Sequence, residues 1–349
     1  MTDEEQIATV CGYLCDGLTA VEIQKKMEAE HSVFITREKP YECLRKAISR
    51  GWIRFVPPEE HSLQRLLKSA YPALQDAVVV NTARAEDVAH RGAKALLDLL
   101  RQHYPDEVVH IGFSGGTALR MLARRFAQLL RDAAQHLPSE IVFHALVAGF
   151  DVRDPGTDPN AFFTHFLNEP VMPRTRFVAL HTPAMVKASF EVELREMPGI
   201  KEAYDSAFEI DIVVTSTSLW SDKHSMLRQY MNLADESVDE LEQAGCVGDI
   251  LWQPIGADGP FQLNSEIRAM TIMELDRLSD FVRRKKHVLL VAGPCHQCHE
   301  PKTKVVRAIL DQQQRLITHL VTDSRCVREM LSARAAGPAA GRAVGSVPS

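Results

Sequence analysis

The chain has 349 residues, 45% apolar and 25% charged, with a formal net charge of −6. That length can bury two domain cores, and the acidic balance excludes a surface coated throughout for nucleic acid, though not one small basic face. No apolar run approaches the roughly 18 residues of a membrane span. The acidic start Met1-Thr2-Asp3-Glu4-Glu5 lacks a signal-peptide core, and the odd, scattered set of 7 cysteines suits a reducing cytoplasm better than a disulfide framework.

Residues 1–56 read as a small helical unit. Ile7, Val10, Cys11 and Leu14 share one helix face, which Asp16-Gly17 ends. Thr19 with Glu22 makes a capping box for a second helix carrying Val21, Ile23 and Met27. Thr36 can cap a third helix whose buried face is Tyr41, Leu44 and Ile48, and Gly51 stops it. Trp52-Ile53-Arg54-Phe55-Val56 alternates like a strand before Pro57-Pro58 marks a linker. Three short helices and a strand outline a winged helix-turn-helix. Its third helix and wing concentrate cations: Arg37, Lys39, Arg45, Lys46, Arg50 and Arg54 stand against Glu38 and Glu42 alone. Cations at those places would neutralise phosphates and reach groove edges, so operator DNA is the expected partner. A helical protein-interaction module with a solvated basic face is the alternative.

From about residue 62 the pattern becomes alternating strands and helices. Strands are predicted at 77–81, 108–113, 141–147, 176–180, 210–215, 248–254, 287–292 and 318–322. Helical patterns such as Ala85–His103 and Thr117–Arg131 lie between them, which implies an α/β domain built on a parallel-rich sheet. Ligands of such sheets sit at the carboxyl ends of the strands. The expected division is a DNA-binding domain over 1–56, an effector domain over 57–334 and a disordered, Ala/Gly/Pro/Ser-rich tail over 335–349.

Within that domain the stretch from Val108 to Arg125 carries the clearest chemistry. A β-branched run ends in Gly112-Phe113-Ser114-Gly115-Gly116-Thr117, and helical spacing resumes after it. Glycines allow close backbone approach, and a helix N-terminus offers unpaired N–H groups to an anion. Ser114, Gly115, Gly116 and Thr117 therefore form a phosphate cradle, or else a turn that only packs helix on sheet. A second motif, Cys295-His296-Gln297-Cys298-His299, has the spacing for two thiolates on one zinc, with His299 or His296 adding nitrogen. A redox-sensing pair and an inert loop remain open for it, whereas covalent haem attachment belongs outside the cytosol.

The order of these segments resembles the SorC-type sugar-binding transcriptional regulators, often grouped with DeoR. The likeness rests on Leu63–Leu74 followed by Ala77-Val78-Val79-Val80, on the Gly112–Leu119 loop, and on Ala244-Gly245-Cys246-Val247-Gly248-Asp249-Ile250 with Asp258-Gly259 after it. Val288–Gly293, Lys302–Leu310 and Leu320-Val321-Thr322-Asp323 complete it. The resemblance implies an effector domain with the sugar-phosphate isomerase fold acting as a sensor, and homodimers or homotetramers on operator DNA. The effector it implies is a small phosphorylated sugar, its phosphate held by Ser114, Gly115, Gly116 and Thr117. Lys302, with Lys304 as second choice, is the implied lysine of that anion site. Asp151, Arg153, Asp158 and Asn160 fall in an expected pocket loop where carboxylates and amides would hold hydroxyls, and Thr215 and Asp249 fall in others. Two segments depart from the family pattern: Thr215-Ser216-Thr217-Ser218 replaces Gly-Ile-Gly, and the Cys-His loop replaces a Gly-Gly step before the lysine. A metabolic enzyme acting on sugar phosphates, with Asp249 or Asp151 as general base, is the alternative function.

Overall fold

A computed structural model describes residues 1–335 except 54, 134, 150–153, 168–172, 234–237, 258 and 261–266. Arg54, Asp151, Arg153, Asp258 and the predicted tail beyond Ala335 thus lie outside the described residues. The chain divides into two compact units, Met1–Val56 and the part from Pro57 onward.

The first unit holds α1 (Asp3–Cys15), α2 (Ala20–His31) and α3 (Lys39–Ser49). Thr2 with Glu5, and Thr19 with Glu22, form capping boxes that satisfy the first-turn N–H groups of α1 and α2. Gly17 takes the turn between them at φ 85°. Ile7, Val10, Cys11, Ile23, Met27, Ile35, Cys43 and Ala47 make the core.

Three expectations change here. The strand predicted over 52–56 does not form among the described residues; the Trp52 N–H instead closes back on Ala47 O at 2.8 Å. A strand needs a partner, and the other connecting segment, before α3, is tied into a turn by Lys39 N–H on Thr36 O. Thr36 does not cap α3 with its side chain, and Pro40 occupies the first turn. The buried face of α3 is Pro40, Cys43 and Ala47, whereas Tyr41 and Ile48 are 57% and 54% exposed. Small side chains let α3 lie close on α1, and this turns the larger apolar ones outward.

The second unit begins with α4 (His61–Ala70), β1 (Asp76–Val80), α5 (Ala85–His103), β2 (Val108–Phe113), α6 (Thr117–Asp132) and β3 (Glu140–Ala145). It continues with α7 (Pro159–Phe162), β4 (Arg174–Val178), β5 (Met185–Lys187), α8 (Ala188–Arg195), α9 (Ile200–Asp205), β6 (Ile212–Thr215) and β7 (Thr217–Leu219). Then come α10 (Met226–Leu233), α11 (Val238–Gln243), β8 (Cys246–Ile250), β9 (Gln253–Gly256), β10 (Gly259–Pro260) and β11 (Ile267–Ala269). The chain closes with α12 (Leu275–Arg283), β12 (His287–Ala292), α13 (Thr303–Asp311), β13 (His319–Asp323) and α14 (Ser324–Ala335).

Seven strands form one parallel sheet in the order β1-β13-β12-β6-β2-β3-β4. All six residues of β12 are buried, as near-continuous apolar strands covered on both faces should be. The parallel-rich α/β architecture read from the alternating pattern is therefore the one observed. The single strand predicted over 248–254 is instead two, β8 and β9, paired antiparallel. Leu251 and Trp252 turn between them at φ 55° and 60°, the left-handed pair of a two-residue hairpin. β7 to β10 make a small antiparallel sheet, and β5 pairs with β11.

Candidate functional site

Three adjacent strands of the sheet, β12, β6 and β2, deliver their carboxyl-end loops to one cavity of about 130 Å³. After β2 the chain passes through Ser114, Gly115 and Gly116 into α6, which starts at Thr117. Ser114 is anchored by its N–H on Val214 O at 3.0 Å and by its hydroxyl against Thr215 Oγ1 at 3.1 Å. Gly116 is at φ 111° and gives its N–H to Thr157 O at 2.8 Å. A Cβ at Gly115 would lie 3.0 Å from both Thr157 O and the Trp252 ring, so glycine lets the loop pass between them. The first-turn N–H groups of α6, which helix geometry leaves without intrahelical partners, then line the opening.

Lining the same cavity are a lysine and a carboxyl that interact electrostatically, Lys302 and Asp249. Lys302, at the start of α13, donates to Thr217 O and reaches Ser216 Oγ at 3.5 Å. Asp249 of β8 is buried; its carboxylate accepts from Ser218 Oγ, and its backbone O from Thr217 Oγ1. Burial pushes the Asp249 carboxyl up to about 6, against the pull of Ser218 and Lys302. Burial pushes the Lys302 ammonium down, and the Asp249 charge counteracts it. An incoming anion would add to the favourable charge that Asp249 already offers this lysine. Trp252 closes one wall, its Nε1–H donating to Ala148 O at 3.3 Å. Bulky residues at positive φ are uncommon and gather at ligand sites.

The structure thus gathers Ser114, Gly115, Gly116, Thr117, Asp249 and Lys302 around one cavity. Thr215 is fully buried behind the wall, where it orients Ser114. Asn160 is not among the lining residues: its amide is committed to both backbone groups of Leu180, at 3.0 and 3.1 Å, and to Asp158. It braces a loop rather than facing ligand. Lys304, the second choice for the anion lysine, is exposed outside this cavity.

Cys295 and Cys298 meet two residues that no sequence spacing singles out, Asp222 and His224 on the loop between β7 and α10. The ligand atoms of all four lie within 4.8 Å of one another, an arrangement that could hold a metal ion. Cys295 is buried, which raises its thiol to about 11, and Cys298 is exposed. His299 stands outside the group, exposed at φ 59°, with only its backbone N–H turned back on Cys295 O at 3.0 Å.

In the first unit the cations on and flanking α3 fall into two sets. Lys39 pairs with Glu42 at 3.3 Å, Lys46 with Asp3 at 3.1 Å, and Arg50 with Asp3 and Glu4 at 3.6 and 3.7 Å. Arg37 and Arg45 are exposed and have no carboxylate partner among the described residues. Tyr41, Arg45 and Ile48 share the outer face of α3.

Comparison with known proteins agrees with this architecture. The full-length sorbitol operon regulator SorC of Klebsiella pneumoniae is similar, with a TM-score of 0.64 at 16% identity over 95% of this chain and 99% of that one. A transcriptional regulator from Streptococcus pneumoniae TIGR4 gives 0.61 at 18% identity over 79% and 97%. A DeoR family regulator from Listeria monocytogenes gives 0.57 at 19% over 77% and 98%. No curated protein matches the chain. The family model described as "Putative sugar-binding domain" matches residues 58–332, most of the chain and the whole of the sheet and its cavity, so this protein belongs to the sugar-binding-domain family and has the fold of the SorC- and DeoR-type regulators.

Proposed function

We propose that this chain is a cytoplasmic, DNA-binding transcriptional regulator whose second unit senses a small phosphorylated, sugar-like effector. Residues 1–56 serve as a helix-turn-helix operator-binding domain, with Arg45 on the free face of α3 and Arg37 in the turn before it, and Lys39, Lys46, Arg50 and Arg54 as further cations for the duplex. Residues 57–334 form the effector domain. Effector binding shifts the population between self-assembled states of different operator affinity. The observation that carries the reading is the convergence of the α6 N-terminus and Lys302 on one small cavity at the carboxyl ends of three parallel strands. A cavity of about 130 Å³ is below the usual range for drug-sized ligands and suits a phosphate on a short polyol. The solved structures named as an operon regulator and a DeoR family transcriptional regulator support the same reading. The thiols of Cys295 and Cys298 are read as zinc ligands, their pairing being a soft donor set.

The test is calorimetry with a panel of sugar phosphates together with retardation of operator fragments. Saturable binding of one of them without turnover, accompanied by a change in DNA affinity, is the expected result. One observation favours a second reading: the Asp249 carboxyl lines the cavity and is raised to about 6 by burial, a value that suits a general base. Turnover of a sugar phosphate, abolished in Asp249→Asn, would make the protein an isomerase-like enzyme instead.

A further inference from the structure

Two loops line the cavity together with the α6 N-terminus. One runs from β7 to α10 and carries Asp222 and His224; the other runs from β12 to α13 and carries Cys295, Cys298 and Lys302. They meet through two side-chain contacts: Cys295 Sγ is 3.5 Å from His224 Nδ1, and Cys298 Sγ is 3.8 Å from Asp222 Oδ1. Within the first loop His224 Nδ1 is 2.9 Å from Asp222 Oδ1. A zinc tetrahedron with bonds of about 2.0–2.3 Å has edges of roughly 3.3–3.8 Å. Two of the three separations already fall on those edges. The third is shorter by the length that a hydrogen bond draws the carboxylate and imidazole together. Two sulfurs, one nitrogen and one oxygen complete four-coordination with donors that zinc accepts.

We propose that Asp222, His224, Cys295 and Cys298 are a zinc centre that cross-links these two loops and thereby fixes Lys302 in the anion cavity. The proposal rests on the reading of Cys295 and Cys298 as zinc ligands and adds to it the other two ligands and a role. Asp222, His224 and Cys295 all line the cavity, so the ion lies in its wall. The tether matters because the loop that leads into Lys302 is closed only on itself, by Cys295 N–H on Glu300 O at 2.9 Å and His299 N–H on Cys295 O at 3.0 Å. The Lys302 amine contacts Ser216 Oγ between β6 and β7 and Thr217 O at the start of β7, whereas its own loop, from His296 to Glu300, is exposed. Joining that loop to the β7–α10 loop fixes the approach of the lysine stem, and the ion adds positive charge to a wall that faces an anion. Metal supply thereby sets how strongly the protein responds to its effector.

The experiment uses the full chain purified without chelator, its zinc-free form, and the variants Cys298→Ser, His224→Ala and Asp222→Asn. Metal content is measured first. Cobalt is then titrated into the zinc-free proteins with the thiolate-to-cobalt absorption as the signal, and inorganic phosphate is titrated calorimetrically with and without zinc. Expected are about one zinc per chain, a thiolate band weakened to about half in Cys298→Ser, and cobalt affinity lowered about tenfold or more in His224→Ala and Asp222→Asn. Phosphate affinity should fall about tenfold on zinc removal and return on re-addition, with far-ultraviolet circular dichroism unchanged. Cys298 is exposed, so its replacement leaves no hole in the core. Unchanged cobalt affinity in both His224→Ala and Asp222→Asn overturns the four-residue centre while leaving the thiol pair as ligands. Absence of any metal binding by the unsubstituted chain overturns both. Equal phosphate affinity with and without zinc overturns the role assigned to the tether.

Discussion

Lys46 of α3 donates to Asp3 in the first turn of α1 at 3.1 Å, while Arg45, its neighbour, points away with no carboxylate partner among the described residues. Consecutive positions on a helix lie about 100° apart, so one basic pair is divided between an internal ion pair and a free surface. The acidic first turn that favours the N-terminus of α1 thus also neutralises half of the basic character of α3.

Arg45→Ala and Arg37→Ala should each weaken duplex binding about tenfold and lower the salt dependence, as loss of a phosphate or base contact does. Lys46→Ala should cost less, and Asp3→Asn should tighten binding by releasing the lysine. Fluorescence anisotropy at two salt concentrations decides between them. A larger loss for Lys46→Ala than for Arg45→Ala would mean that the paired face, not the free one, meets DNA.

Lys302→Met keeps the aliphatic stem but removes the cation, and should lower affinity for a phosphorylated effector about 10- to 100-fold. DNA binding in the absence of effector should remain. Lys304→Met, on the exposed side of the same helix start, is the matched control and should change nothing. Calorimetry with the best ligand from a sugar-phosphate panel reads both variants. Equal losses in the two would assign the effect to net charge rather than to the cavity.

Asp249 gives a prediction about pH. Its carboxyl sits at about 6 in the fold against 3.8 ordinarily, so the folded state holds the proton more tightly than the unfolded chain. The penalty for the buried charge is fully present above about pH 6 and disappears as the pH falls below about 4. Asp249→Asn should therefore be more stable than the native chain near pH 7, by about 1–3 kcal/mol, with the difference closing toward pH 4. The charge left on Lys302 will erode part of the gain. Denaturant unfolding at several pH values checks it; a stability difference independent of pH would place the ionised carboxylate in a well-compensated site.

How much of this was legible in the sequence follows from element length and from separation along the chain. Val108–Phe113 and His287–Ala292 are long, apolar and β-branched, and each is followed by a glycine step, so the strands that frame the cavity could be read directly. The strands β5, β7, β10 and β11 span two to three residues, too few to show a period. On α3, size misled the periodic reading: Tyr41, Leu44 and Ile48 have helical spacing, but the tight contact with α1 selects Cys43 and Ala47. Cys295 and Cys298 stood out by their own spacing. Asp222 and His224 lie on a loop some seventy residues earlier, and only the adjacency of β12 and β6 brings the two loops together.

The pairing of β7 with β8 supplies the last test. Gly248 lies opposite Leu219, and a Cβ there would sit 2.1 Å from Ser218 O and 2.6 Å from the Val305 side chain. The first obstacle is backbone of the partner strand and cannot rotate away, while α13 presses on the other side through Val305. Gly248→Ala must therefore part β7 from β8 or lift α13, at a cost of about 3 kcal/mol. Ser218, Asp249 and Lys302 all belong to these three elements or to their ends, so effector binding should fail along with stability. A melting temperature lower by roughly 5–10 °C is expected for a domain of this size. Gly12→Ala, in α1 with nothing within 4 Å of its Cβ position, should leave the melting point unchanged or raise it. If Gly248→Ala melts with the native chain and still binds the effector, the close packing of β7, β8 and α13 does not hold the cavity together.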